Sequence, residues 1–211
     1  MRILYLDTSS SFLYCGLVEN DFLVFQIKED YGRNLSKNTL YRIKTEFERN
    51  NISTNSVDKI ILVNGPGSFT GIRIAVTIAK TYAWALNIPI VTISSLDAMA
   101  VSTSTDKDYI VPIIDARRGY VFSAIYDKES LPVFKNQYIA LSNLKAELEK
   151  YDGNFVFVSN DGFDFECQSY SPDIIKIVEK YKDYPETLPH LVNACYLKLT
   201  EAEEKNSDKG N

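Results

Sequence analysis

The stretch from Ile3 to Asp21, ILYLDTSSSFLYCGLVEND, aligns without gaps on the stretch from Val111 to Glu129, VPIIDARRGYVFSAIYDKE. The alignment pairs Asp7 with Asp115, Phe12 with Tyr120, Leu13 with Val121, Tyr14 with Phe122, Cys15 with Ser123, Gly16 with Ala124 and Leu17 with Ile125. Each copy reads as a hairpin, two short runs rich in β-branched and aromatic residues separated by turn formers. Each continues into a third strand-like run, LVFQI and PVFKNQYIAL, and then into an amphipathic helix. The first helix carries Leu40, Ile43 and Phe47 at helical spacing after the candidate caps Asn34 and Ser36. The second carries Leu141, Leu144 and Leu148 with Ser142 as candidate cap. Both halves then reach an apolar strand that ends in a turn, IILVNGPG and FVFVSNDG. A three-stranded meander extended by a helix-linked strand, present twice, predicts an α/β chain of two lobes, each a mixed sheet flanked by helices. This is the duplicated actin-like, sugar kinase and heat-shock ATPase (ASKHA) organisation. The boundary is expected within Ser102 to Asp108, STSTDKD, giving units 1–105 and 106–211, the second of them trimmed.

Composition narrows the function. The 211 residues are 45% hydrophobic, enough for one large core or two small lobes sharing a seam. A net charge of −5 argues against a broad nucleic-acid surface, which needs concentrated Lys and Arg. No apolar run approaches the roughly 20 residues of a membrane span, and the N-terminal run is too short for a signal-peptide core, so a cytoplasmic, non-membrane protein is expected. Cys15, Cys167 and Cys195 are odd in number and widely spaced, which favours neither a disulfide framework nor a zinc site. His190 is the sole histidine, so the paired-histidine metal motifs are missing and no metal site is expected.

The second half is expected to end in two helices. Ser171-Pro172-Asp173 reads as cap, first-turn proline and dipole-compatible acid for IIKIVEKYK. In LPHLVNACYLKLTEAEEK, the residues Leu188, Leu191, Val192, Cys195 and Leu199 form a helical stripe.

Phosphate chemistry has two candidate locations. Asp7 and Thr8 open the first hairpin turn, but DTSSSF has no glycine to let the backbone close on a phosphate, and DARRG places Arg117 and Arg118 in that role. The second location, GPGSFTG, has Gly65, Gly67 and Gly71 but no lysine beside the last glycine. It matches neither the Walker nor the dinucleotide spacing. Ser68 or Thr70 can cap the following helix, whose N-terminus can attract an anion. Asp7, Thr8, Gly65, Gly67 and Ser68 are therefore the candidate nucleotide contacts, and the alternative reading of Asp7 and Asp115 is a turn-stabilising carboxylate at a strand end.

That helix is apolar almost all round. Ile72, Ala75, Val76, Ala79 and Ala83 make one face, Ile74, Ile78, Tyr82 and Ala85 cover much of the rest, and Lys80 is its only charge after Arg73. A lobe buries one stripe, so the other needs cover, either from the second lobe or from another subunit. Arg73 lies in the first turn, where the helix dipole disfavours a cation, and is expected to meet an acid or a ligand.

GPGSFTGIRI resembles the G-P-G-S-F-T-G-L-R-I-G signature of the TsaB (YeaZ) family, and DTSSSFLYCGLV, VTISSLDAMA and IIDARRGYVFSAIYD resemble further segments of it. The resemblance is strong from Met1 to Asp127. It implies a subunit with no catalytic residues of its own, a scaffold and activator of the paralogue TsaD in threonylcarbamoylation of N6 of adenosine 37 in tRNA. It also implies a TsaE-like ATPase in the same complex, tRNA contact mainly through the complex, and ATP or ADP at or near the partner interface rather than an intrinsic cofactor. The family docks TsaD, or forms homodimers, through its two N-terminal helices. Mapped here, the partner-binding residues are Leu40, Ile43, Phe47, Ile72, Arg73, Val76, Ala79, Lys80 and Ala83. The first helix opens RNLSKN where the family commonly has a His-Ser-Glu-like start. The alternatives from the residues alone are a stand-alone actin-fold ATPase or kinase and, disfavoured by the missing histidines, a metallopeptidase.

Overall fold

The computed structural model describes residues 1–198. The first repeat forms an antiparallel meander of β1 (Arg2–Asp7), β2 (Phe12–Glu19) and β3 (Phe22–Asp30). Helix α1 (Leu35–Arg49) leads to β4 (Lys59–Val63), parallel to β1, and α2 (Phe69–Leu86) leads to β5 (Ile90–Ile93), parallel to β4. Helix α3 (Ser95–Ser102) ends the first half. The second repeat gives β6 (Tyr109–Asp115), β7 (Tyr120–Asp127), β8 (Pro132–Ala140), α4 (Leu141–Leu148) and β9 (Phe155–Val158), with β9 parallel to β6. The sheet orders are β3-β2-β1-β4-β5 and β8-β7-β6-β9. The duplication expected from the hairpins is thus visible strand for strand from β1 to β4, and among the described residues the second sheet has no counterpart of β5.

Alternation along the strands divides the first sheet's side chains. Leu4, Leu6, Leu13, Cys15 and Leu17 meet Ile43 and Phe47 of α1 and Ile72, Ala75 and Ala79 of α2. Ile3, Tyr5, Tyr14 and Val18 point to the other face. Helix α3 is the seam between the lobes. Ala98 and Val101 join the first sheet's core, while Leu96, Met99 and Ala100 pack with Ile110, Ala124 and Tyr126 of the second. A capping box between Ser94 and Asp97 starts this helix, and Asp97 also accepts a 2.6 Å hydrogen bond from the Tyr126 hydroxyl across the seam.

The chain crosses the expected division at 105/106 a second time. Helix α5 (Ile174–Tyr181) returns to the first sheet and places Ile174, Ile177, Val178 and Tyr181 against Ile3, Tyr5 and Tyr14. Its apolar stripe closes a face that would otherwise stay wet, so 174–198 packs mainly with the N-terminal half, while Lys180 reaches the Ser130 carbonyl and Lys198 the Tyr138 ring. Asp173, not Ser171, is its N-cap, accepting from the Lys176 amide at 3.1 Å.

Up to Lys198, the last described residue, the final expected helix is replaced by chain that is neither α-helix nor strand. Only Pro189–Leu191 makes a 3₁₀ turn; Leu188 and Leu191 are exposed and Val192 alone is buried. The backbone is drawn out because its donors bond elsewhere: the Thr187 amide to the Ile90 carbonyl at 2.7 Å and the Cys195 amide to the Asn64 carbonyl at 2.7 Å. Leu199 lies outside the described residues. Smaller corrections concern caps: Asn34 flanks α1 without a side-chain cap bond, and α4 begins after Ala140 with no cap from Ser142.

Candidate functional site

The two hairpin turns face each other across a cleft between the lobes, which the glycine turn before α2 also lines; the α1–α2 helix pair is a second, separate candidate. Asp7 ends β1 and is 1% exposed. Its Oδ1 accepts from the Ser9 amide at 2.7 Å and its Oδ2 from the Tyr5 hydroxyl at 3.4 Å. Burial pushes the Asp7 carboxyl above the usual carboxylate range, against the Ser9 and Tyr5 bonds that favour its charge. The cleft, of ≈ 530 Å³, brings Asp7, Gly67 and Ser68 together with Asp115, Asn160 and Asp161. Asn160 and Asp161 follow β9 and carry no motif; only their position in the second repeat, matching the turn after β4, marked them. Asp161 accepts from the Asp115 amide at 2.7 Å.

The glycine turn is shaped by neighbouring backbone. The Thr8 hydroxyl donates to the Gly71 carbonyl at 2.7 Å and accepts from the Ala75 amide at 3.1 Å. A Cβ on Gly71 would collide with the Thr8 carbonyl oxygen, and one on Gly67, where φ is +150°, with the Ser9 carbonyl oxygen. Gly65 lies against the Cys195 carbonyl. Three amides around the start of α2 are engaged within the chain: Ser68 donates to the Ser9 carbonyl at 2.7 Å, Gly71 to the Ser68 hydroxyl at 3.2 Å and Ile72 to the Ser68 carbonyl at 2.8 Å. The same donors would be needed to hold a phosphate. On the opposite turn, the Arg117 amide donates to Asp115 at 2.9 Å and the Tyr120 amide to the Arg117 carbonyl at 3.1 Å.

The helix pair has the reverse orientation of the one expected. Ile43, Phe47, Ile72, Val76, Ala79 and Ala83 face inward into the chain's own core, with Ile72 only 1% exposed, so they are not partner-facing side chains. Alanines at 75, 79 and 83 let α2 sit close on the sheet, which is why that stripe faces inward. The outward face carries Leu40 at 63% exposure and Tyr41 at 71% on α1, and Trp84 at 76% on α2. Ile74 and Ile78 are half-buried at the edge of the same core. The apolar excess of α2 is therefore divided between its own lobe and an outer surface, and the second lobe does not cover it.

The two cations of α2 contact the chain's own C-terminal segment. Lys80 donates to the Val192 carbonyl at 2.8 Å. The Arg73 guanidinium stacks 3.7 Å from the centre of the Phe69 ring, and its Nε donates to the Tyr196 hydroxyl at 2.9 Å. The expected acid is thus replaced by a ring face and a phenol oxygen, an exposed contact of about 0.5–1 kcal/mol.

Among the described residues, no group of three His, Cys, Asp or Glu side chains is arranged to hold a metal ion, and no helix is long and apolar enough to cross a membrane. Two repeated mixed sheets joined by a shared helix over a cleft give this chain an actin-like fold. The structure of a Pseudomonas aeruginosa protein described as similar to peptidase YEAZ superposes with a TM-score of 0.79 at 18% identity, covering 93% of this chain and 99% of that one. YeaZ from the same organism gives 0.77 at 18% identity over the same shares. The family model described as TsaD, tRNA N6-adenosine threonylcarbamoyltransferase, matches residues 27–161. The tRNA threonylcarbamoyladenosine biosynthesis protein TsaB of Bacillus subtilis (strain 168) is 30% identical over 223 residues, spanning 97% of each chain. That of Escherichia coli (strain K12) is 30% identical over 131 residues, 61% of this chain and 56% of that one. The chain belongs to the TsaB (YeaZ) family of tRNA threonylcarbamoyladenosine biosynthesis proteins.

Proposed function

We propose that this chain is a non-catalytic scaffold and activator that docks a TsaD-type paralogue through the outer face of α1 and α2 during N6-threonylcarbamoyladenosine synthesis in tRNA. The observation that carries the reading is the exposure of Leu40 and Tyr41 on α1 and of Trp84 on α2, with Ile74 and Ile78 of α2 only half-buried. Covering each large apolar side chain is worth roughly 1.5–3 kcal/mol, so a few of them supply a stable contact. A second copy would take the same face in the absence of the paralogue. A TsaE-like ATPase, tRNA, and ATP or ADP belong in this reading to the assembled complex, which works in the cytoplasm. The lack of a catalytic role is supported by the turn donors already engaged within the chain around Ser9, Ser68 and Arg117.

The deciding experiment is reconstitution of tRNA threonylcarbamoylation with TsaD and the other components from the same cell, with and without this chain. Dependence on the chain supports the scaffold; full modification without it refutes the role. A second reading, a stand-alone ATPase, is favoured by one observation, the cleft that gathers Asp7 and Asp115. Saturable ATP turnover by the purified chain, abolished in Asp7→Ala, would establish that reading, and no turnover would dismiss it.

A further inference from the structure

The segment after Val192 is fastened to α2 very differently from the rest of the core. Val192 is buried among the residues beneath α2, and the Lys80 ammonium holds its carbonyl. Beyond it, Asn193 to Lys198 has no helix or strand. Its fastenings are the Asn64 side-chain amide donating to the Asn193 carbonyl at 3.0 Å, the Cys195 amide donating to the Asn64 carbonyl, the Cys195 carbonyl against Gly65, Tyr196 tilted against Phe69 with ring centres 5.0 Å apart, and the Lys198 ammonium 5.4 Å from the centre of the Tyr138 ring in β8. Tyr196 remains 42% exposed while it makes this contact.

We propose that Asn193–Lys198 is a detachable strap over one edge of α2, hinged at Val192, and that a docking partner displaces it by offering an acidic side chain to Arg73; this deepens the docking reading and rests on it. Two observations and one chemical preference converge. The strap touches Phe69 and Arg73 of the same helix that exposes Thr77 and Trp84, with Ile74 half-buried. Arg73 stands in the first helical turn, where its charge opposes the dipole, and the strap answers it with an uncharged phenol oxygen. A carboxylate at that place makes a stronger, charge-assisted bond than the phenol it replaces. The anchor survives the exchange, because Val192 and the Lys80 bond lie on the near side of the hinge.

The test uses the full chain and hydrogen exchange followed residue by residue. In the isolated chain the Cys195 amide should exchange at least about 100-fold faster than that of Leu62 in β4, through local opening. The Tyr196→Ala variant should exchange faster still at Cys195 and bind the TsaD-type paralogue about threefold or more tightly, because the competing strap is weakened. Adding the paralogue to the unmodified chain should abolish the remaining protection at Cys195, and Arg73→Ala should erase the gain from Tyr196→Ala. Cys195 exchange as slow as that of Leu62, greater protection of Cys195 in the complex, or weaker binding by Tyr196→Ala would each overturn the strap while leaving docking intact. Absence of binding by every form would overturn the docking reading and the displacement with it.

Discussion

Thr8 and Gly71, 63 positions apart, are locked together by a 2.7 Å hydrogen bond from the Thr8 hydroxyl to the Gly71 carbonyl. The same hydroxyl accepts from the Ala75 amide, so the turn lining the cleft and the first turns of α2 move as one piece. The glycine signature is explained by this junction: its glycines admit the carbonyls of Thr8, Ser9 and Cys195 to the backbone of the turn.

Gly71→Ala should therefore be strongly destabilising, by about 3 kcal/mol, because the collision is with backbone and neither partner can swing away. Thr8→Val keeps the shape but removes the buried hydroxyl that bridges the Gly71 carbonyl and the Ala75 amide, and should cost about 1–3 kcal/mol. Urea unfolding of both variants checks the values. A Gly71→Ala midpoint equal to that of the unmodified chain would mean the junction is looser than described.

Substitutions on the two stripes of α2 and its neighbour should separate folding from docking. Ile72→Asp buries a carboxylate in the first lobe's core and should unfold it or lower its stability by about 3 kcal/mol or more. Leu40→Asp, on the outer face, should shift stability by no more than about 0.5 kcal/mol. Circular dichroism melts of the two proteins side by side provide the comparison.

Asp7 should make stability fall as pH rises. Its folded-state carboxyl holds a proton more tightly than in the unfolded chain, so its contribution is greatest below the ordinary carboxylate range and declines as pH climbs through the raised folded value. Asp7→Asn keeps an acceptor for the Ser9 amide and removes the buried charge. The stability of the variant relative to the unmodified chain should thus be higher at pH 7 than at pH 4, measured by denaturant unfolding at each pH. A difference independent of pH would show that Asp7 ionises in the folded protein as freely as in water.

The strands were legible because their alternation is local and occurs twice: Asp7 and Asp115 end equivalent strands, and the meanders follow from the hairpins around them. Helix α2 was legible as a helix and as a rod with two apolar sides. Which side meets the sheet was not, because Ile72 and Val76 are as apolar as Ile74 and Ile78, and only the close approach allowed by Ala75, Ala79 and Ala83 decides it. The spacing of Leu188, Leu191, Val192 and Cys195 reads as a helix, yet Asn64 and Ile90 engage the backbone of that segment from far away in the chain. The return of α5 to the first sheet is likewise a tertiary choice that its own periodicity does not encode. Arg73 signalled an unusual partner through its place in the first turn, but nothing nearby in sequence identified Tyr196.

The central claim is that the outer face of α1 and α2 receives the TsaD-type paralogue. Its most direct test is the dissociation constant of that paralogue for the unmodified chain and for a Leu40→Asp, Ile74→Asp double variant shown to be folded. The account predicts weakening of about 100-fold or more, since two apolar contacts are lost and two carboxylates are left facing the interface. Unchanged affinity in the folded variant would contradict it.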